Sequence, residues 1–145
     1  MPSDDSRAPG PLGTVIRAFY DARRPARRTG DLSLLNPFIA ADVRWCEPDV
    51  GAHMGVLEGR DAVLDMIRRA LETTAGSFDL RVTSTVETAT HVAASVAWSA
   101  VKGERRIEGQ ELAVFEVRNG RIVSAWFHPG DIADDEAFWG EVDKD

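Results

Sequence analysis

Apolar residues in the first third of the chain recur at helical spacing. Leu12, Val15, Ile16, Phe19 and Tyr20 follow the i, i+3, i+4, i+7, i+8 order of one helix face, with Arg17, Asp21 and Arg24 on the other. Pro25 has no N–H for the helical ladder and predicts an end or a kink there. Thr29-Gly30-Asp31 reads as a C-cap glycine followed by an N-cap aspartate, opening a short second helix with Leu32, Leu34 and Leu35 that Pro37 limits. Val43 and Trp45, alternating with Arg44 and Cys46, predict a strand running into Glu47-Pro48. Gly51, Gly55 and Gly59 punctuate a loop. Asp61 then opens a third helix, with Val63, Met66, Ile67, Ala70 and Leu71 on one face and Thr73 to Gly76 closing it.

From Ser77 the period is two. Phe78, Leu80, Val82 and Val86 form one alternating row, and Val92, Ala94, Val96, Trp98 and Ala100 a second, ending at Lys102-Gly103. Residues 107–118 and 122–128 flank Asn119-Gly120, a strong hairpin signal because both central residues accept positive φ. A short acidic helix closes the order. Helices grouped ahead of a meander predict an α+β domain: three N-terminal helices packed on one face of a curved antiparallel sheet, with a cavity at its open end. The expected division is a loose arm at 1–11, one domain at 12–140 and an acidic tail at 141–145.

Charge changes the picture only locally. The net charge is −7, and residues 131–145 alone hold seven acids and one lysine, so the rest of the chain is nearly neutral. No basic face emerges, which argues against a nucleic-acid partner. Cys46 is the single cysteine, so no disulfide framework forms within the chain. The opening residues carry acids where a secretory leader is basic, and no run approaches the roughly 20 apolar residues of a membrane span. The resulting expectation is a cytoplasmic protein without a membrane partner. His53, His91 and His128 are scattered, and no metal motif, phosphate loop, dinucleotide fingerprint or nucleophile elbow occurs, so no metal and no cofactor are expected.

Several segments together carry a resemblance. They are Phe19-Tyr20 ahead of Gly30-Asp31, Asp42-Val43-Arg44-Trp45 into Glu47-Pro48, Gly59-Arg60-Asp61-Ala62-Val63, Val114-Phe115 through Asn119-Gly120-Arg121-Ile122-Val123, and Trp126 to Asp131 followed by Asp135-Glu136-Ala137-Phe138-Trp139. Across roughly 12–140 the chain resembles the SnoaL-like, ketosteroid-isomerase-like branch of the nuclear transport factor 2-like (NTF2-like) superfamily. That resemblance implies a cone whose sheet and helices line an apolar pocket for a small, cyclic molecule. It leaves the chemistry open among isomerase, cyclase and hydratase types, and equally allows binding without turnover.

Alternation then sorts candidates within that implied cone. If Trp45 points inward, so does Glu47; if Phe115 packs on the helices, Ala113 and Glu111 point inward too. In the last strand Ile122, Ser124, Trp126 and His128 share a face, taken as inward, which leaves Val123, Ala125 and Phe127 outward as a face for a homodimer. The candidate pocket thus holds Trp45, Glu47, Glu111, Ala113, Trp126 and His128, with Tyr20 and Met54 as walls. Glu47 matches the general-base position of the isomerases, where an apolar setting makes a carboxylate a better proton acceptor; ketosteroid isomerase is itself a known case of carboxyl groups tuned by their surroundings. Glu111 needs a partner, for which His128 is the candidate. Ala113 stands where the isomerases carry a protonated aspartate and can donate nothing. The Arg23, Arg24, Arg27, Arg28 run reads as a solvated helix end.

Overall fold

A computed structural model describes residues 10–47 and 55–130. Helix α1 spans Pro11–Thr29, a short 3-10 helix Leu32–Phe38, strand β1 Ile39–Glu47, β2 Gly55–Glu58, and helix α2 Arg60–Thr73. Four longer strands follow: β3 Asp79–Glu87, β4 His91–Lys102, β5 Arg105–Arg118 and β6 Arg121–Pro129. The strand order is β2-β1-β6-β5-β4-β3. All pairs are antiparallel except β1 with β6, which run parallel and join the N-terminal half to the meander. The fold is α+β, with the helices packed on one face of a curved, unclosed six-stranded sheet. Residues 1–9 of the arm expected at 1–11, the residues expected to form the C-terminal helix and tail, and Met54 lie outside the described residues.

Local chemistry explains most of the elements. Helix α1 starts with Pro11, whose missing N–H costs nothing in the first turn. The Glu87 carboxylate accepts the next two donors, from the Leu12 N–H at 3.2 Å and the Gly13 N–H at 2.8 Å. Pro25 does not end the helix: α1 continues to Thr29 and stops at Gly30, whose φ of 78° closes the cap. Asp31 caps the 3-10 helix by accepting the Ser33 N–H. Asn119 and Gly120 take φ values of 52° and 75°, as the two-residue hairpin requires. The glycine-punctuated loop holds a strand instead, because Gly55–Glu58 pairs with β1 from Arg44 to Glu47.

Two single-residue irregularities decide which side chains reach the interior. Between Val82 and Ser84 the β3–β4 register slips by one. The slip turns Val86 outward, 73% exposed, and carries Glu87 in toward α1. Between Glu116 and Val117 the β5–β6 register slips likewise. Ile122 therefore faces the core, and so do Ala125 and Phe127, while Val123 and Ser124 occupy the bulge. The expected outward trio is thus corrected: Ala125 and Phe127 are buried, and Trp126 and His128 take the other face. Strand β4 has no slip, and Val92, Ala94, Val96, Trp98 and Ala100 are buried in strict alternation.

The core lies between this inner face and the helices. Ile16, Phe19 and Tyr20 of α1 and Val63 and Ile67 of α2 pack with Trp45, Phe115 and Phe127 of the sheet. Truncating one such aromatic costs about 3–5 kcal/mol, a large share of the stability of a single domain.

Candidate functional site

Strand alternation brings Glu47 and Glu111 to the inner face. On β1, Val43 and Trp45 are buried and Glu47, next on the same side, is only partly covered. The Trp45 indole N–H donates to Glu47 Oε1 at 2.7 Å, which fixes the carboxylate against the aromatic wall. On β5, Gly109, Glu111, Ala113, Phe115 and Val117 share the inner side. Glu111 stands between Val96 of β4 and Pro129 of β6, one step outward from the Ala94–Ala113–Phe127 row.

An aromatic layer closes the floor beneath these carboxylates. Trp45 meets Phe127 at 4.8 Å between ring centroids and Phe115 at 6.3 Å, and Phe115 meets Tyr20 at 6.2 Å. Trp45 and Ala113 are 1% and 0% exposed, so both belong to this floor. Toward the rim, Phe78 packs edge-on against Trp98, and Trp98 lies over Gly109, where a Cβ would sit 2.7 Å from the indole. Gly109 is therefore the space that lets Trp98 lie flat.

Helix α1 supplies the remaining polar groups. Tyr20 is 3% exposed. Burial pushes its hydroxyl well above the ordinary tyrosine range; the Glu111 charge adds to this, Arg23 opposes it and Glu47 reinforces it. Arg23 follows one turn later on the same face, half-buried, with its guanidinium carbon 5.8 Å from the centre of the Phe78 ring. Burial lowers the Arg23 pKa, while Tyr20, Glu111 and Glu47 draw it back up and Arg27 lowers it further. Tyr20, Arg23, Glu47 and Glu111 thus feel one another's charge in a single interior cluster. Tyr20 and Arg23 also line a narrow cleft of about 10 Å³, room for about one water, between α1, the 3-10 helix, α2 and the start of β3.

The remaining sequence candidates fall elsewhere. Trp126 and His128 are on the outer face: His128 is exposed and opposite outward Leu112, and Trp126 stacks on His91 at 6.2 Å. The proposed Glu111–His128 pair does not form, because the β6 bulge puts a sheet between them. Arg23 is the residue that sequence reasoning missed. It sits in a run of arginines, yet it lies three residues beyond Tyr20, and that spacing was the available signal. Arg27 also leaves the solvated end, donating to the Phe78 carbonyl at 3.2 Å and pairing with Asp79 at 3.3 Å. Among the described residues no group of three metal-ligating side chains is brought together, and no helix is long and apolar enough to cross a membrane.

The arrangement is an apolar floor with two carboxylates, a buried phenol donor and a guanidinium above it. Such a set can accept a proton and hold a developing negative oxygen.

The model of the SnoaL-like domain family matches residues 16–125. Similar solved structures include Bal32a from a soil-derived mobile gene cassette, 23% identical, covering 88% of this chain and 95% of its own at a TM-score of 0.78. An NTF2-like protein of unknown function from Burkholderia pseudomallei is 22% identical over 90% of this chain and 98% of its own, with a TM-score of 0.76. IdmH, a candidate polyketide cyclase from Streptomyces antibioticus, is 22% identical over 83% of this chain and 93% of its own, with a TM-score of 0.68. At these identities the likeness concerns the fold. A comparison with curated proteins finds no match.

Proposed function

The chain belongs to the SnoaL-like family of the NTF2-like superfamily, and from that premise we propose that it binds a small, apolar, cyclic molecule and performs cofactor-free proton transfer on it, with Glu47 as the base. The observation that carries this reading is the placement of the Glu47 carboxylate. It is held by the Trp45 N–H at 2.7 Å at the edge of an aromatic floor, facing a cluster that includes buried Tyr20. A base so placed takes a proton from carbon beside a carbonyl, and the electron pair moves to the carbonyl oxygen. Proton transfer to a positioned side chain contributes about 10²–10⁴-fold in rate. That IdmH is described as a candidate polyketide cyclase supports the cyclase or isomerase type.

The test is a thermal-shift search with cyclic ketones and phenols, followed by turnover assays on those that bind. A ligand at a hundredfold excess over Kd stabilises by about 2.7 kcal/mol. Glu47→Gln should keep the shift and lose turnover. Full turnover in that variant removes Glu47 from the base role, and binding without any turnover favours a carrier.

The same reading places the protein in the cytoplasm as a homodimer joined through the outer face of the sheet. Outward Leu112 and Val56, 47% and 46% exposed beside half-buried Trp126, support that contact.

A further inference from the structure

The outer side of β4 is floored by small residues. Its inward positions are the buried row described above, so Ala93, Ser95, Ala97 and Ser99 point outward, half-buried. Their partners across the ladders are longer: Arg81 and Gln110 flank Ala97, and Val86 and Val114 flank Ala93. A low floor between high walls makes a trough along the strand, about 20 Å from Ala93 to Ser99 at the usual rise per residue. At its Ser99 end the trough opens into a groove of about 620 Å³, lined by Asp79, Arg81, Ser99, Arg106, Glu108 and Gln110. That volume is in the range of small-molecule sites. Charge is unequal along the trough. Arg27 pairs with Asp79 at 3.3 Å and Arg106 with Glu108 at 2.9 Å, so both carboxylates are matched and Arg81 adds a third guanidinium to this end. The Ser99 hydroxyl and the Gln110 amide supply neutral donors on the same rim. At the other end the walls are apolar: Val86 is 73% exposed and Leu112, opposite Ser95, 47%.

We propose that this trough is a second binding site, on the face opposite the interior cluster, for a single-chain amphipathic anion. The class is a medium- or long-chain carboxylate, its head among Arg81, Ser99 and Gln110 and its alkyl chain over Ala97, Ser95 and Ala93 toward Val86. A guanidinium fork matches a carboxylate with two parallel hydrogen bonds. An alkyl chain is narrow enough to lie on the small side chains of β4 and touch both walls, and each methylene so covered adds to binding. The other occupant of such a face is a second copy of this chain. A sheet face laid across the walls would leave the groove unfilled, and unfilled space forfeits packing contacts. The contact proposed between copies lies on the other half of the sheet, over Trp126 of β6 and Val56 of β2, and meets the trough only at Leu112. The trough uses neither Glu47 nor Tyr20, so its ligand is independent of the base reading.

The probe is decanoate below its micelle concentration, titrated by calorimetry, with hexanoate, octanoate and neutral 1-decanol for comparison. Affinity should rise about twofold to fourfold with each added methylene, the upper value being full burial. Decanol, with the same chain and no charge, should bind about tenfold more weakly than decanoate, and Arg81→Met should remove that preference. Ala97→Leu raises the floor at an outward position. It should weaken decanoate about tenfold, the equivalent of two displaced methylenes, in a protein that unfolds as before. Glu47→Gln, on the other face, should leave decanoate binding unchanged. Equal binding of decanol, or decanoate binding that Ala97→Leu and Arg81→Met both leave intact, overturns the proposal. Loss of decanoate binding in Glu47→Gln places the chain in the interior and overturns it too. Absence of saturable binding does the same, and a sedimenting mass that falls in Ala97→Leu would then give the trough to a second copy.

Discussion

The two faces of the sheet are built from the same strands and carry opposite kinds of chemistry. On the inner face a closed aromatic floor supports Glu47, Glu111, Tyr20 and Arg23, whose charges are coupled by burial. On the outer face His91, Trp126, His128 and Leu112 lie half-covered or exposed, and His91 shares a hydrogen bond with the Thr90 hydroxyl at 2.7 Å. The difference is set by strand register. A one-residue slip between Glu116 and Val117 is enough to move an imidazole from the inner face to the outer one. Alternation alone puts His128 on the same face as Glu47 and Glu111; register separates them.

That contrast can be broken by substitution. The largest effect belongs to the inner floor: Phe115→Ala, at a position that is fully buried against Tyr20, Trp45 and Phe127, should cost about 3–5 kcal/mol in chemical unfolding. A cost below about 1 kcal/mol would mean that the floor is not packed as described. Gly109→Ala should follow at about 1–3 kcal/mol, since the new methyl would meet the Trp98 indole at 2.7 Å. The outer face should respond least. Leu112→Glu should change unfolding free energy by no more than about 0.5 kcal/mol in the monomer, yet shift the mass seen by sedimentation from dimer to monomer. An unchanged dimer would move the interface elsewhere.

Alkaline titration sharpens the same comparison, because Tyr20 is the single tyrosine of the chain and its ionisation is visible alone. Its folded pKa is raised, chiefly by burial. Above about pH 10 the unfolded chain gives up this proton and the folded chain keeps it. Stability is thus fully present below that pH and is lost as pH rises toward the folded value. Tyrosinate absorbance should appear only together with loss of structure, and Tyr20→Phe should remove part of the alkaline slope. Ordinary titration near pH 10 in an intact fold would place Tyr20 at the surface.

The same physics decides how much of the molecule its sequence discloses. Strands β1, β4 and β5 have unbroken alternation over the residues that matter, so the inward placement of Trp45, Glu47, Glu111 and Ala113 is legible from Val43 and Phe115 alone. Helices α1 and α2 are legible from their apolar stripes and from Gly30. Strands β3 and β6 are not, because a bulge is a property of pairing between strands and leaves no mark in the run of Val82 to Val86 or Ile122 to His128. Strand β2 escapes notice because Gly55–Glu58 is short and glycine-bounded. Arg23 escapes for another reason: charge was read from a cluster of arginines, whereas its period with Tyr20 places it inside. Pro25 does not mark the end of α1, since one lost hydrogen bond is tolerated where packing holds the helix on both sides.

The central claim is that proton transfer belongs to Glu47 on the inner face and owes nothing to His128 on the outer one. The direct measurement is exchange of the α-hydrogens of a cyclic ketone, 2-tetralone, in D₂O, followed by proton NMR for the unaltered protein, Glu47→Gln and His128→Asn. The account predicts protein-catalysed exchange that Glu47→Gln reduces about 10²–10⁴-fold and His128→Asn leaves unchanged. Exchange that survives Glu47→Gln, or that disappears with His128→Asn, would contradict it.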